Sequence, residues 1–232
     1  MKKLFLTALA AFAFAGLHAQ NEVEVNVLPI TSENTSKFTV NFLEDFYVGS
    51  IAPIDSPKDM GLKAFKSWDL GFDIAKVHFV PEERHDIKLG VNFGTRFFKT
   101  RHKNIISNLG GHYYAAPFPA EAYSNSKRKS RLDVYELGLS LGYEYQVLDD
   151  LELGFDVIGN YNFSAKSVSK YKVGSSKEKV KQKHWKTQKF TPEYRLTIGL
   201  PDIKLYVRCA PHKLFKKAYG PELSYIAVGV IL

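Results

Sequence analysis

Charged side chains recur at even spacings along much of the chain. Asp69 and Asp73, Lys88 and Arg96, Glu136 and Glu144, Glu152 and Asp156, Glu193 and Arg195, and Lys204 and Arg208 are each separated by an even number of residues. On extended backbone an even spacing puts both members on one face. Charges gathered on a face shielded from water persist chiefly when partnered. Acids and bases mixed this way therefore predict an ion-pair network inside a fold, with a narrow polar conduit as the alternative. A second group lies between Ala165 and Lys189, where Lys166, Lys170, Lys172, Lys177, Lys179, Lys181, Lys183, Lys186 and Lys189 face the single acid Glu178. Its chemistry would be anion binding. A third group, His112, Glu121, Ser124 and Ser126 with His184 further on, holds the residue types of a nucleophilic hydrolase or acyltransferase. No spacing forces these into a triad, so no catalytic residue is assigned.

The elements that must carry these groups are strands. Tyr135, Leu137, Leu139, Leu141, Tyr143, Tyr145 and Val147 alternate with Glu136, Gly138, Ser140, Gly142, Glu144 and Gln146. A helix would scatter these residues around its circumference. After Asp149-Asp150 the pattern resumes with Leu151, Leu153, Phe155 and Val157, which predicts a hairpin of two long strands. The same reading finds six more strands. One lies near 36–48, and the others are centred on Trp68–Ile74, Ile87–Phe93, Tyr194–Ile198, Ile203–Cys209 and Ile226–Leu232. Connections near 80–86, 148–150 and 200–202 are short, while those at 49–66, 100–130, 165–188 and 211–219 are long. Eight strands with alternating short and long links predict an all-β fold, an eight-stranded antiparallel up-and-down transmembrane β-barrel.

A soluble lipocalin-like barrel uses the same alternation with its faces reversed, so periodicity leaves open a periplasmic barrel binding a hydrophobic ligand. Strand length and aromatics near strand ends (Trp68, Phe98, Tyr143, Tyr145, Tyr161, Phe163) favour the membrane form. So does the amino terminus. Lys2 and Lys3 precede the apolar run Leu4–Leu17, then Ala19, which reads as a signal peptide over 1–19. Residues 20–35 are then a periplasmic N-terminal segment and 36–232 the barrel domain. The chain of 232 residues has 17 Phe and 13 Tyr to bury in a core or in lipid, and a formal net charge of +8. The one cysteine, Cys209, excludes an intramolecular disulfide and a multi-thiolate zinc site. Its place on an apolar strand face makes it a small lipid-facing or core residue. No phosphate-cradling glycine loop and no HExxH occur. Neither a metal nor a cofactor is expected.

The export junction Ala19-Gln20, the glycine-spaced strands Trp68-Asp69-Leu70-Gly71-Phe72 and Leu137-Gly138-Leu139-Ser140-Leu141-Gly142-Tyr143, and an end inside the last strand resemble the small outer-membrane β-barrel proteins of Bacteroidetes-type bacteria. The resemblance covers most of 36–232. It implies the outer membrane of a Gram-negative cell envelope and assembly by the barrel-assembly machinery. Members of such families usually end on an aromatic residue, whereas this chain ends on Leu232, a weaker assembly signal. The family is united by fold, so it transfers no active site. In this topology the long connections gather the Lys cluster outside, together with Lys99, Arg101, Lys103, Lys127, Arg128, Lys129, Arg131, Lys213, Lys216 and Lys217. The expected function is a non-enzymatic structural or surface-binding role through these basic loops, against outer-membrane lipids and lipopolysaccharide phosphates. An outer-membrane lipid-modifying enzyme, a lipid A deacylase or acyltransferase, is the alternative class. An envelope protein or glycan could meet the aromatic loop segment His112–Pro119, which could equally close over the barrel mouth. Nucleic acid is not an expected partner.

Overall fold

The computed structural model describes residues 23–25, 37–55, 62–100, 104–122, 128–173, 175–183 and 185–232. The expected signal peptide and most of the segment after it lie outside the described residues. In chain order the strands are β1 (Val23–Val25), β2 (Lys37–Phe42), β3 (Tyr47–Asp55), β4 (Ser67–Glu82), β5 (His85–Lys99), β6 (Asn104–Leu109) and β7 (His112–Pro117). They continue as β8 (Lys129–Leu148), β9 (Leu151–Val173), β10 (Ser176–Gln182), β11 (Phe190–Leu200), β12 (Ile203–Ala210) and β13 (Ser224–Ile231).

Eight of these close a ring by antiparallel pairing: β3 to β4, β4 to β5, β5 to β8, β8 to β9, β9 to β11, β11 to β12, β12 to β13, and β13 back to β3. Closure leaves no barrel edge with unpaired backbone groups. The strand predicted near 36–48 is mostly β2, which stands outside the ring, whereas barrel strand β3 runs into the predicted loop 49–66; β2 continues the line of β3 along β4 after a break at 43–46. Leu43 and Asp45 adopt left-handed φ of 56° and 50° there. The backbone stays tethered across the break by Leu43 N–H to Ile74 O at 3.2 Å and Asp73 N–H to Glu44 O at 3.0 Å. Phe46 and Leu232 exchange both backbone bonds, at 3.2 and 2.7 Å. The end of the chain is thereby pinned beside the first barrel strand.

The turns at 83–84, 149–150 and 201–202 lie at one end, and the long connections lie at the other. Besides 49–66, two further long connections are more ordered than the sequence pattern suggests. The stretch 100–130 contains the β6–β7 hairpin, and 165–188 is largely strand, since β9 runs on to Val173 and pairs with β10. Charge-rich, lysine-laden sequence carries little apolar alternation, so the pattern stops marking a strand where the strand leaves the apolar zone. The β6–β7 hairpin packs over the barrel mouth, where Ile106 N–H donates to Ser130 Oγ at 3.3 Å and Ser167 Oγ to Ile106 O at 2.9 Å.

The two faces of the wall differ sharply. Leu139 is 63% exposed on the outside, with Leu141, Phe155, Val157, Leu196, Ile198, Leu205 and Val207 also open, whereas Glu136, Asp69 and Asp73 are wholly buried. Phe98, expected among the outer aromatics, is instead 0% exposed inside the mouth, edge-on to Tyr225 at 5.3 Å. Its even number puts it on the inner face of β5 with Arg96, a parity the strand-end rule ignores. Interior glycines make room for large groups. A Cβ on Gly94 would lie 2.7 Å from Glu136 Oε1 and 2.9 Å from the Tyr47 hydroxyl, and one on Gly71 would fall on the Tyr47 ring. Gly71→Val should therefore destabilise the barrel by about 1–3 kcal/mol despite valine's strand preference. The check is the temperature at which the folded gel band is lost, which Leu139→Val on the outer face should leave nearly unchanged.

Candidate functional site

The barrel interior holds a layered set of ion pairs. Near the mouth Arg96, on β5, is surrounded by carboxylates from three other strands. It pairs with Glu136 of β8, donates Nη2–H to Glu193 of β11 at 2.7 Å, and stands 3.4 Å from Asp69 of β4. Arg208 of β12 approaches the same acids, Asp69 at 3.4 Å and Glu193 at 4.0 Å. Tyrosines fill the remaining directions. Tyr206 donates to Asp69 at 3.0 Å and Tyr225 to Glu193 at 2.7 Å. The Arg96 guanidinium lies 5.0 Å from the Tyr225 ring centre, and that of Arg208 lies 4.4 Å from Tyr47. Arg208 and Arg195 are direct cross-strand neighbours, a like-charge pairing that would repel. The repulsion is offset because Arg195 turns to Asp156, donating Nε–H at 2.8 Å.

Towards the short-turn end, Glu144 takes Lys88 and, at 2.8 Å, Lys204, which also reaches Glu152 at 3.6 Å. Glu152 is itself half-exposed at the rim, not inside. Asp73 pairs with Lys76 at 2.7 Å, and Lys76 also meets Asp45. All twelve residues of the expected network thus lie in or at the rim of one interior. Sequence spacing missed Lys76 because the β4 bulge between Asp73 and Ala75 shifts the face parity by one residue. It also missed Tyr47 and Tyr225 as interior residues. Charged side chains and tyrosine rings, not a run of apolar side chains, face the described barrel interior.

The nine expected anion-binding lysines divide into two places. Beyond the barrel proper, β8, β9 and β10 rise as a three-stranded sheet. Cross-strand register aligns Lys129, Lys170 and Lys179, then Arg131, Val168 and Lys181, then Lys172 with Lys177. Lys166 stands over the Tyr135 ring at 4.5 Å. The opposite face of this sheet is covered: Ser130 and Ser169 bond each other at 2.6 Å beneath β6, and Tyr171 meets Phe118 edge-on at 5.3 Å. One face is therefore almost purely cationic. Its acid, Asp133, is buried against Arg131 at 2.9 Å. Repulsion from Lys181, then Lys170, lowers the Lys179 ammonium below its ordinary value. Lys183, Lys186 and Lys189 lie apart, in a separate cleft with Lys216.

Of the hydrolase-type residues, only the His112 side chain is described. The His112 imidazole lies 2.9 Å from the Ala218 carbonyl and stacks on Tyr219 at 4.6 Å. Ser124, Ser126, His184 and the side chain of Glu121 lie outside the described residues, as do Arg101, Lys103 and Lys127. Cys209 is half-buried on the wall. No cluster of His, Cys, Asp and Glu able to hold a metal occurs among the described residues. Neither protein-family models nor curated proteins give a match to this chain.

Removing Arg96 would leave the buried Glu136 without its partner cation and take one of two cations from Asp69 and Glu193. Arg96→Met should cost about 3–5 kcal/mol, while Arg96→Met combined with Glu136→Leu should recover part of that loss. Urea unfolding of the detergent-folded protein, followed by tryptophan fluorescence, measures both.

Proposed function

We propose that this protein is an outer-membrane β-barrel whose interior is a structural brace and whose basic outer sheet binds the anionic surface of the surrounding leaflet. The single observation that carries the reading is the inversion of burial: charged residues line the inside and a belt of Leu, Val, Ile, Phe and Tyr covers the outside. In water such a belt would be an aggregation surface far above the few hundred Å² that monomers expose. In a bilayer it is the lipid-facing zone, and closure satisfies the backbone that lipid cannot. An eight-stranded barrel has room for its own side chains only, and the ion pairs occupy that room. This favours a closed scaffold over a diffusion pore.

The cationic face of β8–β10 rises from the belt's long-loop edge. Below it, a hollow of about 240 Å³ brings Lys66, Lys99, Lys129, Arg131 and Lys170 beside Trp68 and Phe97. Strands stand ~4.8 Å apart and same-face residues ~7 Å apart along a strand, a charge grid suited to several phosphates at once. Lipopolysaccharide phosphates are the proposed partner, with the barrel-assembly machinery acting during insertion.

Two measurements test this. Unboiled protein from outer membranes should migrate apart from boiled protein on a denaturing gel; recovery as soluble periplasmic protein with no mobility shift would overturn the reading. Lys177→Gln, Lys179→Gln and Lys181→Gln together should weaken binding of lipopolysaccharide-containing vesicles about 100-fold at low salt, from ~1 kcal/mol per lysine, and flatten its salt dependence.

A further inference from the structure

Above the belt the barrel wall opens on one side of β9. Pairing of β9 with β11 ends at Phe190↔Tyr161, and pairing with β10 begins at Gln182↔Ser167. Between these points residues 162–166 of β9 face Lys183 and residues 185–189, which do not pair with them. Asn162 N–H to Lys189 O, at 2.7 Å, closes the lower corner. Other elements hold Lys183 and residues 185–189 from behind. Thr187 forms a β-bridge with Phe215, Gln188 N–H donates to Leu214 O at 2.8 Å, and Lys216 N–H donates to Lys186 O at 3.0 Å. Asn108 Nδ2–H donates to the Lys183 carbonyl at 3.1 Å. Trp185, 7% exposed, is wedged between Tyr113 and Phe215 at 6.2 and 6.0 Å.

The result is a standing cleft of about 890 Å³. Four lysines, Lys183, Lys186, Lys189 and Lys216, line it, and no acidic residue among the described residues does. Like charges held in a concave site focus a positive potential. The site is built closely around one of them: a Cβ on Gly111, whose φ is +94°, would lie 2.8 Å from Lys186 Cγ, so glycine lets the lysine stem pass. Below the cationic part the lip turns apolar. Phe163 lines the cleft and lies exposed on the outer wall, with Tyr161 and the 75%-exposed Phe190 alongside. Tyr161 and Phe190 rings are 5.2 Å apart.

We infer that this lateral cleft binds one phosphate-bearing lipid headgroup from the outer leaflet, the phosphate among Lys183, Lys186, Lys189 and Lys216 and the acyl chains along the aromatic lip. The inference rests on the membrane reading above, and it differs from the sheet-face binding there in being a single enclosed site.

The chain has two tryptophans, Trp68 and Trp185, so Trp68→Phe leaves a reporter in the cleft wall. The full protein with that change is placed in phosphatidylcholine nanodiscs containing increasing amounts of diphosphorylated lipid A. Trp185 emission should change saturably. Lys183→Gln, Lys186→Gln and Lys189→Gln together should move the midpoint about 100-fold, at least ten times further than Lys177→Gln, Lys179→Gln and Lys181→Gln together. An unresponsive Trp185 in an intact, heat-modifiable barrel would overturn the cleft site alone. So would an equal shift from the sheet-face variant, which would mean general surface attraction. Saturation of the same response by glucosamine phosphate in solution would also overturn it, since no lipid would be needed. Failure of the protein to enter the nanodisc would overturn the membrane reading together with the site.

Discussion

Everything inside this barrel depends on charge compensation around Arg96 and Arg208. Two guanidinium groups are sealed in a narrow interior, where the desolvation of each is offset only by facing carboxylates and hydroxyls. Asp69, Glu136 and Glu193 come from three different strands, and Tyr206 and Tyr225 hold the far oxygens of two of them. A shift of register in any one strand would remove a partner from the cluster, so the network ties ring closure to a unique register. Paired main-chain groups alone would tolerate slippage, because the outer apolar belt is chemically repetitive.

That brace explains the division of labour along the barrel axis. The charged interior needs close packing, hence glycines at Gly71 and Gly94 opposite Tyr47 and Glu136. Above it the mouth is closed by an apolar cap in which Phe98, Ile106, Leu132, Phe215, Leu223 and Tyr225 cluster. Ion pairs fill the bore and apolar side chains fill its mouth. On the basic sheet of β8–β10 and in the cleft beside β9, lysines outnumber acids among the described residues.

The bulge at Phe163 links these outer features to the barrel. Below it the even-numbered residues of β9 point inward; above it the odd-numbered ones do, because Tyr135 and Glu136 oppose Ser164 and Asn162. The extra residue turns Lys166, Lys170 and Lys172 onto the outer face and Ser167, Ser169 and Tyr171 onto the covered one. It also sits where β9 parts from segment 183–189. One inserted residue thus aims the lysines and borders the cleft.

Strand alternation was legible from residue order alone, because a period of two survives any tertiary context in which one face meets charge and the other apolar surroundings. It placed seven of the eight barrel strands, the short turns and twelve of the charged residues in or at the rim of the interior, but read most of β3 as a loop. It carried no information on which face lay inside, since the same alternation serves a soluble barrel with its faces exchanged; ring closure around the charges decided that. Lys76 and Phe98 escaped for local reasons, a bulge that shifts parity and an aromatic near a strand end whose even number points inward. The lysine-rich stretch read as a loop because its strands carry charge on one face and small polar groups on the other. Its division into a sheet face and a cleft depends on pairings between residues distant in the chain, such as Thr187 with Phe215, and such pairings arise only when the folded chain brings the segments together.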